Sequence, residues 1–242
     1  MIDILYLAHK RPEFTRASLD ALLKNTDWSR ARLIVYTDGV PLSRDWAPPP
    51  SVCVLTAHYG GPVAIMNTHL WATKAELFAK IDNDTIVPPG WLDACLSVME
   101  AHPELDLLGI ESPASRTPNP DSGRIVAPPE SLVPASAGYA PCDAIGGIGL
   151  MRTSAFAGRS AMKPHSIYGG FTDWQLAHPE VRKGWIVPPL KVFLLDRLPI
   201  EPWASLSREY IAKGWQRPWT NYSPESVALW DWWNPAEMRT YV

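Results

Sequence analysis

Asp82-Asn83-Asp84 sets two carboxylates one residue apart, directly after the strand-like Ala79–Ile81. Like charges that close repel unless a cation or hydrogen-bond donors pair them. A hard divalent ion such as Mn²⁺ or Mg²⁺ takes oxygen ligands, often one or two carboxylates together with phosphate oxygens. An ion held there neutralises charge on a departing diphosphate. The plainer alternative is a solvated turn capped by Asp84. The strand-end setting favours the ligand reading, because α/β sheets bind ligands beyond the carboxyl ends of their strands. Asp38, in Tyr36-Thr37-Asp38-Gly39, either accepts from a base N–H or ribose hydroxyl or serves as a turn residue. Arg11, in His9-Lys10-Arg11-Pro12, carries a planar fork suited to phosphate, or is a surface arginine. In Gly169–Trp174, Asp173 suits a general base for an acceptor hydroxyl and also a helix cap. Trp174 beside it offers an apolar platform for a sugar face. Asp196, at the end of Phe193–Leu195, is either a third metal ligand or the partner of Arg197.

These residues need elements to hold them. Ile2–Ala8 reads as a buried strand, Phe14–Lys24 as an amphipathic helix, and Ala31–Tyr36 and Val52–Thr56 as two further buried strands. Helical periodicity runs over Val63–Phe78 and again over Trp91–Ala101. Leu105–Ile110 reads as a strand, Ser112–Ala140 as a long surface excursion, and Ala144–Met151 as a Gly-rich strand. A short helix is predicted to start at Thr153–Ala157 and another at Asp173, with late strands at Trp185–Val187 and Lys191–Leu195. The alternation predicts an α/β fold whose central sheet is mostly parallel and flanked by helices. His9–Arg11, Thr37–Gly39 and Asp82–Asp84 then converge on one crevice.

Composition narrows the classes. The chain has 242 residues, 46% of them hydrophobic, enough for a sizeable core. A net charge of −3 gives no general electrostatic case for nucleic-acid binding. Three widely spaced cysteines form no metal-ligand pattern and no disulfide framework, so buried free thiols in a reducing, cytoplasmic setting are expected. The opening MIDILYLAHKRPEF is not a signal peptide, and no stretch nears the ~20 apolar residues of a transmembrane segment. The histidines show no HxH or HExxH spacing, and no GxSxG, Walker A or GxGxxG occurs. Tryptophan is frequent, 12 residues, and clusters toward the C-terminus, as a packing tail or as aromatic platforms.

Taken in order, these segments resemble the inverting, family-two-type glycosyltransferases of GT-A (nucleotide-diphospho-sugar transferase) fold, over Ile2 to about Leu198. His9–Pro12, Tyr36–Asp38, Gly60–Asn67, Lys80–Asp84, Gly146–Phe156 and Gly169–Asp173 carry the resemblance. It implies a glycosyltransferase domain at 1–198 with a Trp/Pro-rich extension at 199–242. It further implies metal-dependent transfer of a sugar from a nucleotide-sugar donor, UDP- or GDP-linked, with inversion. Ala8, Arg11, Asp38, Asn67, Asp82 and Asn83 would bind the donor. Asp84, Asp82 and Asp196 would hold Mn²⁺ or Mg²⁺. Asp173 would be the base, and Gly170, Phe171 and Trp174 would meet the acceptor, whether glycan, lipid-linked sugar, protein or modified nucleic-acid base. Thr172 stands where that family carries a glutamate. A sugar-phosphate nucleotidyltransferase and a non-catalytic carbohydrate-binding protein are the competing expectations.

Overall fold

The computed structural model describes residues 1–38, 42, 52–110, 138–163, 170–187, 190, 192–198 and 201–215. Its centre is β1 (Ile2–Ala8), buried along its whole length. Side chains alternate across a strand, and β1 feeds two cores accordingly. Ile2, Ile4, Tyr6 and Ala8 join one cluster, while Leu5 and Leu7 join the other. This double burial explains why β1 reads as a continuous apolar run.

β2 (Ala31–Asp38) and β4 (Leu77–Asp82) flank β1 in parallel, and β3 (Cys53–Ala57) lies outside β2. The eight-stranded order is β3-β2-β1-β4-β8-β6-β9-β7. β8 (Gly149–Arg152) runs antiparallel between β4 and β6 (Leu107–Gly109). β9 (Lys183–Ile186) is parallel to β6, and β7 (Tyr139–Pro141) is antiparallel on the outer edge. β5 (Thr85–Ile86) and β10 (Phe193–Leu194) form a small antiparallel pair.

Helices α1 (Pro12–Asn25), α3 (Trp91–Ala101) and α5 (Trp203–Ala212) pack on one face of the sheet. α2 (Pro62–Ala72) and α4 (Gly170–Ala177) pack on the other. Among the described residues no helix is long and apolar enough to cross a membrane.

Several expected boundaries shift. Helix α2 stops at Ala72 rather than Phe78, because Thr73 turns extended and its hydroxyl donates to the Asp3 carboxylate. β3 is an exposed edge, not a buried strand, since among the described residues only β2 pairs with it. Only Cys95 is a buried thiol; Cys53 is exposed and Cys142 half-buried. The Gly-rich segment becomes strand only at Gly149, after a turn in which Gly146 takes a φ of 73°. The late strand at 191–195 shortens to Phe193–Leu194, and α4 starts at Gly170 rather than Asp173. Most of the excursion from Ser112 to Ala140 lies outside the described residues, as do the tryptophans beyond Trp215.

Asp3 is the one acid within β1, 1% exposed. Burial raises its carboxyl pKa, but hydrogen bonds from Arg32 and Thr73 outweigh burial and hold it below the usual range. His69 faces the same carboxylate with Nε2 at 3.4 Å. Desolvation lowers the imidazole from 6.5 to about 4. The unfolded chain therefore takes up a proton between those values that the folded chain refuses, so stability falls as pH falls from 6.5 toward 4. The loss should be about 2–3 kcal/mol. Thermal melts across this range should show it, and His69→Gln should flatten the slope; a pH-independent wild-type melt would contradict the assignment.

Candidate active site

Strand order reverses at β1, with β2 and β3 on one side and β4 on the other. Such a switch point leaves a crevice beyond the carboxyl ends of the strands. A cleft of about 520 Å³ lies there, within the size range of small-molecule sites. Its walls include Leu7–Arg11 after β1, Asp38 at the end of β2, Gly60–Val63 leading into α2, and Lys80 with Asp82–Asp84 at the end of β4. Gly146–Ile148, Phe171, Thr172, Asp196, Arg197 and Trp215 complete it. Of the residues singled out from sequence, Ala8, Arg11, Asp38, Asp82, Asn83, Asp84, Phe171 and Asp196 line the cleft, while Asn67, Gly170, Asp173 and Trp174 do not. A second hollow of about 650 Å³, walled by Tyr139, Gln175, Lys183 and others, holds none of these residues.

The β1–α1 turn is strained to aim one side chain inward. Lys10 and Arg11 both take the left-handed conformation, with φ of 54° and 50°, which disfavours non-glycine residues. Asn83, 3% exposed, holds that turn. Its amide nitrogen donates to the carbonyls of His9 (3.1 Å) and Lys10 (3.2 Å) and to the Thr15 hydroxyl (2.9 Å). Its carbonyl accepts from Arg11 Nη2 at 2.6 Å. The Asn83 side chain is thus committed to the protein, and its place in the cleft wall is that of a brace.

Arg11 Nη1 lies 2.9 Å from Asp84 Oδ2 and 3.7 Å from Asp196 Oδ2. The Phe14 ring lies 5.6 Å from its guanidinium carbon. The other acid of the pair is matched differently. Lys80 Nζ donates to Asp82 Oδ1 at 2.5 Å and to the Gly147 carbonyl at 2.7 Å. Sequence reasoning gave Lys80 no role, although residues two apart on a strand share a face and that spacing sets a cation beside Asp82. At the end of β2, Asp38 accepts from the backbone N–H groups of Tyr59 (2.8 Å) and Gly61 (3.0 Å). It thereby shapes the glycine turn, and His9 Nδ1 approaches it to 3.6 Å.

The donor set bears on a metal as follows. Asp84 and Asp196 converge on one cationic nitrogen, so two hard oxygen donors already share a cation position, with the guanidinium as stand-in. Two carboxylates completed by substrate phosphates suit Mg²⁺ or Mn²⁺. Among the described residues no group of three or more His, Cys, Asp or Glu is arranged to hold an ion. Asp82 is directed to Lys80 rather than to the position Asp84 and Asp196 share.

Helix α4 corrects part of the expected acceptor surface. Trp174 is 5% exposed. Phe156 and His178 both stack on it with centroids 4.5 Å away, and its indole N–H donates to the Ser160 carbonyl. Two rings stacked that closely cannot share one face, so neither face is open to a sugar. Gly170 is buried where a Cβ would meet the Lys163 carbonyl at 2.4 Å. Asn67 bridges the backbone of Met162 through both amide atoms instead of reaching the cleft. Asp173 is exposed on α4, one residue past the cleft-lining Thr172.

No protein-family model matches the sequence, and no curated protein does. Solved structures match in fold. Residues 1–349 of S. aureus TarS superpose with a TM-score of 0.59 at 11% identity, covering 80% of this chain and 60% of that one. The same fragment with UDP-GlcNAc gives 0.51 at 14% identity, covering 79% and 57%. The mannosyltransferase PcManGT from Pyrobaculum calidifontis, in complex with GDP-Man and Mn²⁺, gives 0.54 at 14%, covering 78% and 54%. The chain therefore has the GT-A glycosyltransferase fold. It spans no more than about 60% of the length of these structures.

Asn83→Ala removes the brace of the His9–Arg11 turn, taking a donor from the half-buried His9 and Lys10 carbonyls and an acceptor from Arg11. Urea unfolding should show a loss of about 2–3 kcal/mol with an unchanged m-value. An unaltered midpoint would mean the turn holds itself.

Proposed function

We propose that this chain transfers a sugar from a nucleotide-diphosphate donor to an acceptor hydroxyl, with a divalent metal and with inversion. The observation that carries the reading is the convergence of Arg11, Asp84 and Asp196 at the switch-point cleft, with Lys80 and Asp82 beside them. A diphosphate needs cations, a donor sugar needs hydroxyl acceptors, and this end of the cleft supplies both.

In this mechanism Ala8, His9 and Asp38, at the ends of β1 and β2, bound the nucleoside end of the cleft. Arg11 meets the diphosphate with its planar fork, and Lys80 adds a second positive charge. Asp82 accepts from donor-sugar hydroxyls. Asp84 and Asp196 would hold Mn²⁺ or Mg²⁺, which neutralises negative charge on the leaving diphosphate. Asp173, at the cleft rim one residue past Thr172, takes the proton of an acceptor hydroxyl held there, as the acceptor oxygen attacks the anomeric carbon opposite the leaving group. One bond forms as the other breaks, and the configuration inverts. The acceptor enters from the α4 side, past Phe171 and Thr172. An acceptor screen over glycans, lipid-linked sugars, proteins and modified bases distinguishes the acceptor class.

Binding to the native state raises its stability, so a thermal-shift series with UDP, GDP and their sugar conjugates, with and without Mn²⁺, tests the donor. A shift with one nucleotide family that grows with Mn²⁺ is expected. Release of pyrophosphate from a nucleoside triphosphate and a sugar phosphate would instead mark a nucleotidyltransferase. Asp173→Asn should lower transfer about 100-fold or more while leaving donor affinity intact. Equal loss of donor affinity would remove Asp173 from the role of base.

A further inference from the structure

We propose that Arg11 is the resident counter-cation of the Asp84–Asp196 pair, and that a divalent ion enters only by exchange with it once a nucleotide diphosphate is present to receive the guanidinium. The inference rests on the metal reading given above and adds an order and a coupling to it.

Asp84 and Asp196 are 8% and 6% exposed. Two carboxylates turned to one point in so little water repel each other strongly. Arg11, its side chain 11% exposed, places its Nη1 2.9 Å from Asp84 and 3.7 Å from Asp196 and so offsets the charge of both. An arriving Mn²⁺ must therefore evict a hydrogen-bonded, desolvated guanidinium from Asp84. A diphosphate in the cleft changes the balance, because its oxygens match the arginine fork and also complete the coordination of the ion. The exchange needs no backbone movement, since Arg11 already sits at the cleft wall on a turn fixed by Asn83. Nucleotide and ion thus strengthen one another's binding, and by linkage the effect is reciprocal.

Mn²⁺ binding to the full chain can be followed by the loss of the free-ion electron paramagnetic resonance signal. In wild type, Mn²⁺ alone should bind weakly, and saturating UDP or GDP should tighten it about tenfold or more. Arg11→Gln exposes the acid pair, so it should bind Mn²⁺ without nucleotide about tenfold more tightly than wild type and gain less from the diphosphate. Adding Asp84→Asn to Arg11→Gln should abolish that binding. Wild-type binding of Mn²⁺ that is equally tight with and without nucleotide overturns the proposal, and this arm needs no variant to fold. So does an Arg11→Gln protein, folded by circular dichroism, whose affinity for Mn²⁺ is not raised. Nucleotide binding with no Mn²⁺ uptake under any condition overturns the metal reading itself, a result distinct from uptake that ignores Arg11.

Discussion

The structure turns on the matching of acids to cations at the carboxyl ends of β1 and β4. Asp82 and Asp84 leave the sheet a residue apart and would repel if left alone. Each is met by a different cation: Asp82 by Lys80 from its own strand, Asp84 by Arg11 from the turn after β1. Asn83, between the two acids, accepts from the same guanidinium and secures the turn that delivers Arg11. Three consecutive residues thus bind two cations and fix the loop opposite.

The rest of the fold holds that arrangement still. Ser18 on α1 donates to the Asp82 and Thr85 carbonyls, tying the helix to the acidic turn. α5 secures the third acid: the Ser207 hydroxyl donates to the Asp196 carbonyl, and Trp203 and Tyr210 pack on Phe14 of α1. The Tyr210 hydroxyl donates to the Glu13 carboxylate on the same helix. Trp215, stacked on Tyr210, closes the cleft at that side. Residues 201–215 are therefore tied to the cleft through α1 as well as through Asp196.

Much of the first half was legible in the sequence. β1 and α3 fall where their patterns place them, because a doubly buried parallel strand and an amphipathic helix each write their burial into residue order. The gathering of Arg11, Asp38 and Asp82–Asp84 followed from topology, since parallel strands with right-handed crossovers put their carboxyl ends on one side. Edge position was not legible: Cys53–Ala57 has the apolar character of an inner strand, yet among the described residues no strand pairs with its outer side. Trp174 could not be read either, because a core aromatic and a sugar platform look alike until the neighbours Phe156 and His178 are known.

The amino-acid order by itself determined the α/β alternation, the acidic strand end and the spacing that sets Lys80 beside Asp82, because these depend on local periodicity and on neighbours a few residues apart. Only the tertiary structure decided which charge answers which. Arg11 is separated from Asp84 by 73 positions in the chain, and Asp196 reaches the same guanidinium through β10 and α5. Such pairings depend on distances through space, and a linear pattern carries no record of them.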